Sequence, residues 1–555
     1  MAKMLQDTYG EGADTILING KVTTGRAGDS EYEALAIRHE RILAIGTQSE
    51  MLALADSHTT IIDAGGRRIL PGLIDSHMHL VRAGLTWNDE LHWDGLTSLD
   101  EALALIALAV RQKAQGSWIR VVGAWHPGQF SERRGPTREE LSALAPQHPV
   151  YVQQLYEDAI VNDAALRICG VTAETQDPPG GLFERDDSGT PTGRVHGVPA
   201  FNFFLQRIGS GTFEQQVDST LTMLRAFSRV GLTTAIDAGG LGATSTIYGP
   251  IFEMWKRRQL QVRTRLYLGA SERGKEREQI AAWIAQFAPA FGDAYLKVIG
   301  AGELIELGYH DLEGLTPFRV PPECRRELYE ITRMVAQMGW PMHIHAVWDT
   351  TIAAVLDVWE EVDCEFPLAG RRFSLAHADM ITPADLARVQ KMGIGIAVQD
   401  RLVFRAADSS RAWGHEKAHT APPVSDMLAL GIPVGAGTDS TRVTSYNPWV
   451  SLWWLITGCS FDGAPARHEH HCLSRMEALR LYTSGSAWFS FDEDELGTLE
   501  SGKMADLIVL SDDYFTIPED AIPTLEAVLT IVGGRLVYAS DSFSDLSDLL
   551  GRSPE

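Results

Sequence analysis

The chain is poor in everything that would mark an extracellular scaffold or a nucleic-acid binder. Its five cysteines (Cys169, Cys324, Cys364, Cys459 and Cys472) are scattered, odd in number and never spaced as C-x-x-C. That excludes a disulfide framework and a thiolate zinc site, and it suits a reduced cytoplasm. Positive charge is also short: 48 Lys and Arg face 73 Asp and Glu, a net charge of -25. Such an excess repels phosphate backbones and anionic lipid, so neither nucleic acid nor a membrane surface is an expected partner. No stretch approaches the roughly 20 unbroken apolar residues of a spanning helix. Met1 to Thr15 has no basic head followed by an apolar run, so no secretion signal is expected. No internal repeat or low-complexity tract is present. What remains is a mix of 45% hydrophobic and 22% charged residues over 555 positions. That is enough for one large soluble barrel with a smaller module.

The two ends share a strand-rich character that the middle lacks. Thr15-Ile-Leu-Ile, Leu35-Ala-Ile, Arg41-Ile-Leu-Ala-Ile-Gly and Thr60-Ile-Ile-Asp read as short strands, as do Ala505-Asp-Leu-Ile-Val-Leu, Ala527 to Val532 and Arg535-Leu-Val-Tyr. Neither end alone has strands enough for a stable sheet. Residues 1–70 and 490–555 are therefore expected to meet in one composite β-sandwich.

The middle, 71–489, alternates strand and helix, the pattern of a parallel barrel. Ser98-x-x-Glu101 opens a helix, and Phe213, Val217, Leu221, Leu224 and Phe227 line one face of another, capped by Thr212. Eight strands end in polar residues: Ile69–Asp75, Thr233–Asp237, Arg263–Leu268, Tyr295–Ile299, Pro341–His345, Phe373–His377, Ile394–Gln399 and Pro433–Asp439. Eight closes a (β/α)8 TIM-like barrel, provided that residues 80–210 form a long insertion after the first strand. The insertion has strands of its own near Ile119–Gly123 and Val150–Gln154.

Functional groups in such barrels sit at the C-terminal strand ends. Those ends carry His77 and His79, Lys297, His345, His377 and Asp439. Residues two apart on a strand point the same way, so His77 and His79 can reach one ion. Each has an ordinary alternative: a chance His-x-His, a satisfied core histidine, a helix cap at Asp439, an ion-pair lysine. All of them falling at strand ends of one barrel is hard to ascribe to chance. Imidazole and carboxylate donors suit zinc or a similar divalent ion with a position open to water.

The run Leu70-Pro-Gly-Leu-Ile-Asp-Ser-His-Met-His resembles the opening motif of the amidohydrolase superfamily, and Gly497 to Leu510 resembles its return to the sandwich. Pro191-Thr-Gly, His345-Ala-Val-Trp-Asp, Leu375-Ala-His-Ala-Asp, Gly437-Thr-Asp-Ser and Glu477-Ala-Leu-Arg-Leu-Tyr-Thr are similar to the YtcJ-like branch, which includes N-substituted formamide deformylases. The similarity spans nearly the whole chain. It implies that His77, His79 and Asp439 bind one metal and that His345 and His377 bind a second. Lys297, after carboxylation, would bridge the two. It further implies Asp439 as general base and then acid, and a homodimer. Three departures touch the substrate side: Glu157 stands where the branch carries histidine, Ala301-Gly302 where it carries Asp-Gly, and Trp348 where it carries glycine.

Around this centre Trp125, Trp348, Trp413, Trp453 and Trp454 either pack under long loops or wall a pocket for an apolar or aromatic substrate. Glu157 is a pocket candidate by its place in the motif, and His343 either lines the site or packs in the core. His468, His470 and His471 read as surface. The expected activity is metal-dependent hydrolysis of an amide-type C–N bond in a small molecule, using one or two divalent ions, zinc foremost. Ester or lactone hydrolysis on the same centre is the alternative. A non-catalytic metal-binding protein would have lost a ligand, and none is lost.

Overall fold

The structure is a computed structural model that describes residues 12–550 other than 27, 29 and 30. The start of the chain, where no secretion signal is expected, lies outside these residues. Eight parallel strands form the barrel: β1 (Leu73–Met78), β2 (Leu232–Asp237), β3 (Arg263–Leu268), β4 (Leu296–Glu303), β5 (Met342–Ala346), β6 (Ser374–His377), β7 (Gly395–Gln399) and β8 (Val434–Gly437). Neighbours in this order pair in parallel from β1 through β8. The seam between last and first is drawn together where Asp439 N–H donates to the His77 carbonyl (2.9 Å) and His79 N–H to the Ser440 carbonyl (2.9 Å). These two bonds lie at the end of the barrel where the candidate ligands stand.

The first strand differs from expectation. The run Ile69 to Asp75 is split: Arg68–Pro71 joins a five-stranded sheet with Lys21–Val22, Leu507–Leu510, Ala527–Val532 and Arg535–Ala539, and the barrel begins only at Leu73. Gly72 makes the crossing. A Cβ there would sit 2.2 Å from Thr233 Oγ1, so only glycine allows this close approach to β2. Strands from both chain ends thus share one sheet. A second, four-stranded sheet is made of Arg41–Gly46, Ala34–Arg38, Thr15–Ile18 and Thr60–Asp63.

Between β1 and β2 the chain builds another five-stranded sheet, which contains Ile119–Val122 and Val150–Gln154. The helix Phe213–Arg229 then leads into β2; Thr212 and Gln215 cap each other's backbone, and Val217, Leu224 and Phe227 are buried on its inner face. Ser98 caps the helix Leu99–Gln112 by accepting from Asp100 N–H (3.1 Å); Glu101 accepts instead from Thr97 N–H. No helix among the described residues is long and apolar enough to cross a membrane.

Strand β4 is longer than its sequence suggests. The expected strand ends at Ile299, yet the strand runs on through Gly300 and Gly302 to Glu303. Added Cβ atoms would lie 2.7 Å from the Pro341 carbonyl and 2.5 Å from the His343 carbonyl. The glycines therefore mark tight strand packing, not a chain reversal. A register shift against β3 at Leu266/Tyr267 accommodates the extra residue. This extension decides which side chain of β4 reaches the active end.

Candidate metal centre

Six side chains converge at the C-terminal mouth: His77 and His79 from the end of β1, Glu303 from β4, His345 from β5, His377 from β6 and Asp439 just beyond β8. Glu303 touches all four imidazoles. Its carboxylate oxygens lie 3.3 Å from His77 Nε2, 3.6 Å from His79 Nε2, 3.7 Å from His345 Nδ1 and 3.9 Å from His377 Nε2. Asp439 lies on the other side, 3.0 Å from His79 Nε2, 3.6 Å from His77 Nε2 and 4.0 Å from His377 Nδ1. Three overlapping donor triplets result: His77, His79 and Glu303; His77, His377 and Asp439; and Glu303, His345 and His377.

The donor set fits a cation. All six side chains are buried, and His77 Nε2, His377 Nδ1 and Glu303 Oε2 have no hydrogen-bond partner. Buried polar atoms are rarely left bare unless something else satisfies them. The electrostatics agree. Burial alone would lower the pKa of His77, but the nearby carboxylates of Asp439 and Glu303 outweigh that and raise it to about 10. For His345, burial is outweighed by Asp311 and Glu303, giving about 9. Burial would raise both carboxylates, yet the histidines around them hold Glu303 and Asp439 well below the usual range. The pocket holds its carboxylates ionised and draws positive charge.

A second layer aims the ligands. His77 Nδ1 meets His343 Nε2 at 2.8 Å, and His343 Nδ1 meets Ser374 Oγ at 2.8 Å. His343 therefore stands behind His77 and does not line the cavity. His79 Nδ1 is held by the Gly239 carbonyl at 3.0 Å. His345 Nε2 lies 2.9 Å from both Asp311 Oδ1 and the Leu312 carbonyl, and Asp311 is itself fixed by Val347 and Trp348 N–H. Such contacts fix imidazole orientation and leave the other nitrogen for metal. His377 and Asp439 adopt positive φ (71° and 56°), strain of the kind that collects at functional sites.

Lys297 is elsewhere. It lies near the start of β4 beside Arg265, and its Nζ is 2.6 Å from Asp492, which Arg265 also binds at 2.7 Å. Six residues of strand, roughly 20 Å at 3.3 Å each, separate it from Glu303. The expected carboxylated-lysine bridge is thus replaced in position by Glu303. The only hint in the sequence was that Ala301-Gly302 departs from the family pattern just ahead of it.

The tryptophans also miss the site. The small cavity at the ligands, about 20 Å3, is lined by Arg82, Tyr156, Leu241, His310, Leu312, Glu313 and Val443 besides the ligands. Trp125 is buried in the insertion and donates to the Gln153 carbonyl. Trp413 is buried and donates to the Gly314 carbonyl, Trp454 packs under Arg467, and Trp453 lines a separate cavity with Tyr446 and Phe461. Trp348 is half-buried at the start of the helix Asp349–Asp363, beside Gly314. Glu157 is exposed and lies 3.4 Å from Arg405. His468 and His470 are exposed as expected, whereas His471 is buried beside Asp426 and His470.

Sequence reasoning missed His310, Asp311 and Glu313, all on the loop after β4. His310 stacks on His345 with ring centroids 4.0 Å apart, and burial followed by the His345 charge lowers its pKa to about 3. A loop has no period to betray such residues.

A barrel with four imidazoles and two carboxylates at its mouth defines a metal-dependent hydrolase. Residues 60–538 match the model of the amidohydrolase family, and the chain belongs to that family. It is 27% identical to a putative amidohydrolase YtcJ of Bacillus subtilis, over 81% of this chain and 85% of that protein. It is 26% identical to an N-substituted formamide deformylase of Arthrobacter pascens, over 95% of this chain and 98% of that one. The fold is similar to that of an uncharacterized metal-dependent hydrolase from Pyrococcus horikoshii, with a TM-score of 0.67, 21% identity, and coverage of 91% and 99%. The likeness to the YtcJ-like branch is thus found across the chain.

Proposed function

We propose that the protein hydrolyses an amide-type C–N bond of a small molecule at this centre. The observation that carries the reading is the convergence of His77, His79, Glu303, His345, His377 and Asp439, with bare donor atoms facing one another. His77, His79 and Asp439 would hold one ion and His345 and His377 another, with Glu303 between them. The donor set favours zinc, in one or two positions. When bound, such an ion polarises a carbonyl and lowers the pKa of water from 15.7 toward about 7.

Asp439 faces the histidines from the open side and takes the proton of the attacking water as general base. It then delivers that proton to the departing nitrogen, since an amine leaves poorly without one. His343 and Asp311 keep the imidazoles of His77 and His345 turned toward the centre. The likeness to a formamide deformylase favours amides, and the same carbonyl chemistry would serve esters or lactones. Asp439→Asn tests the preference: loss of at least about 100-fold is expected on an amide, with a smaller loss on the matched ester. Equal losses on both would remove the case for amides.

Metal removal tests the centre itself. Dialysis against a chelator should abolish turnover of N-acyl and N-formyl amines and lower the unfolding midpoint, and zinc or manganese should restore both. A purified protein that holds less than one equivalent when supplied with metal would overturn the reading. The paucity of basic charge and the free cysteines suit a cytoplasmic enzyme acting on small molecules. A homodimer is the family-level expectation, tested by sedimentation.

A further inference from the structure

Outside the catalytic mouth, the described residues bring two further sets of three metal donors together: His126 with Glu157 and Asp408, and Asp426 with His470 and His471. The two sets differ in what already stands among them. In the first, the buried Arg405 reaches both acids, with Nη2 3.4 Å from Glu157 and Nε 3.6 Å from Asp408. A guanidinium keeps its charge, so that set is neutralised from within. In the second, among the described residues, no Lys or Arg nitrogen lies within 4.0 Å of Asp426, and its one ion-pair contact is His470.

Two neighbouring elements build this second set. His470 and His471 stand in a short 3-10 turn, Glu469–His471, on the connection between the helices Pro448–Thr457 and Arg475–Leu481. Asp426 is on the helix Val424–Ala429, which leads into β8. Ser425 Oγ donates to the His470 carbonyl at 2.7 Å and pins the turn to that helix. Asp426 Oδ1 then stands 3.3 Å from His470 Nε2. Donors bonded at about 2.0–2.1 Å to one tetrahedral ion are about 3.4 Å apart, so these two need hardly move to share one.

His471 supplies an independent observation. It is 4% exposed and its Nδ1 is shut off from water, yet neither ring nitrogen makes a hydrogen bond among the described residues. A buried imidazole left without a partner is costly. One of its nitrogens lies within 4.8 Å of the donor atoms of Asp426 and His470. A cation among the three would satisfy it, and the side chains of His470 and Asp426, which reach solvent, are free to close in. Two imidazoles and a carboxylate select zinc and similar metals over calcium and magnesium, which take oxygen donors.

We propose that Asp426, His470 and His471 bind a further divalent ion of the zinc type, which clamps the turn 469–471 to the helix that leads into β8. The site shares no residue with the hydrolytic centre and does not depend on the hydrolase reading. Its part is structural: it fastens the connection after Pro448–Thr457 to the element that leads through β8 to Asp439. The net charge of -25 favours a cation at such a surface, and the donor types decide which cation is kept.

The test counts zinc at this site apart from zinc at the barrel mouth. Full-length wild type, His470→Ala, Asp426→Asn and Glu303→Gln are dialysed to equilibrium over a range of free zinc, and bound metal is measured. One equivalent held by the wild type should persist in Glu303→Gln, which disturbs only the barrel mouth. His470→Ala and Asp426→Asn should each bind that equivalent at least about 10-fold more weakly and keep the rest. Excess calcium should not displace it. Zinc should also raise the unfolding midpoint of the wild type further than that of His470→Ala. His470 is exposed, so its loss spares the fold; Asp426→Asn is checked by circular dichroism, and His470→Gln replaces it if it does not fold. Identical zinc isotherms for the wild type and both variants, or displacement by calcium, overturn the site. Weakening in His470→Ala with wild-type binding in Asp426→Asn overturns it as well, since the carboxylate would then not be a ligand.

Discussion

At the scale of single residues, the centre turns on which side chain of β4 supplies the carboxylate. Glu303 touches all four histidines, and Lys297 is committed to Asp492 at the far end of the barrel. The two substitutions that separate these roles have opposite signatures. Glu303→Gln keeps the shape but loses the charge between the imidazoles. It should reduce bound metal by at least one equivalent and lower kcat/KM by about 100-fold or more. Lys297→Met should retain full metal content and activity while lowering unfolding stability by about 1–2 kcal/mol, because Asp492 keeps its bond to Arg265. Metal analysis of both variants beside the wild type checks this. A Lys297→Met protein that fails to load metal would restore the lysine to the centre.

That the other candidate ligands share one end of the barrel was readable from the sequence for a physical reason. His77, His79, His345 and His377 sit on or next to regular strands, where a period of two fixes direction and the barrel rule fixes the active end. Asp439 lies two residues past its strand and was still within reach of that rule. The tryptophans were not readable, because an indole at a strand end serves equally as core. Here burial won, with Trp125 and Trp413 donating to backbone carbonyls inside packed clusters.

At the scale of elements, β4 shows why a strand boundary was misjudged and what depends on it. A glycine in a strand has two meanings, turn or close approach, and composition does not distinguish them. The structure does, since Gly302 packs against the backbone of His343 on β5. Gly302→Ala would place a methyl group 2.5 Å from that carbonyl oxygen. Backbone cannot yield as a side-chain tip can, so a loss of about 1–3 kcal/mol is expected. The displaced strand should also move its next residue, Glu303, and weaken metal binding at least about 10-fold. Urea unfolding with a parallel metal titration reads both. If stability falls while metal affinity stays at the wild-type level, then β4 does not position the carboxylate.

Three further elements cover the mouth: the loop after β4 with Leu312 and Glu313, the insertion with Tyr156, and the loop after β8 with Val443. The cavity beneath them, about 20 Å3, has room for little more than one water molecule. The side chains that border the cavity on its open side come from these elements, so the mouth is shaped by loops and not by the barrel. This is also why the substrate side was the least legible part of the sequence.

At the scale of the whole molecule, the ends of the chain are tied to the base of the barrel by buried ion pairs. Asp506 binds Arg263 of β3 and Asp492 binds Arg265 of β3 and Lys297 of β4, while Asp513 binds Arg68 within the terminal five-stranded sheet. Removing one partner of a buried pair leaves a stranded charge, so the pairs of Asp506 and Asp492 couple the C-terminal segment to the barrel. Asp492 and Asp513 also set a pH limit. For Asp492 burial works against ionisation, but Arg265 and Lys297 outweigh it and lower its pKa to about 2; for Asp513, Arg68 and Lys21 outweigh burial and give about 2. An acid whose pKa is lower folded than unfolded stabilises the fold above its unfolded value, near 3.8, and ceases to do so as pH falls toward 2. Asp492 is nearly fully buried, and its share of stability at neutral pH is about 2 kcal/mol. Unfolding of metal-free protein, followed by tryptophan fluorescence in urea, should therefore weaken steeply between about pH 4 and pH 2. Asp492→Asn should start lower at pH 7 and lose less over that window, because one of the groups that takes up a proton on unfolding is gone. Parallel curves for variant and wild type would mean that Asp492 is not what links the C-terminal segment to the barrel in acid.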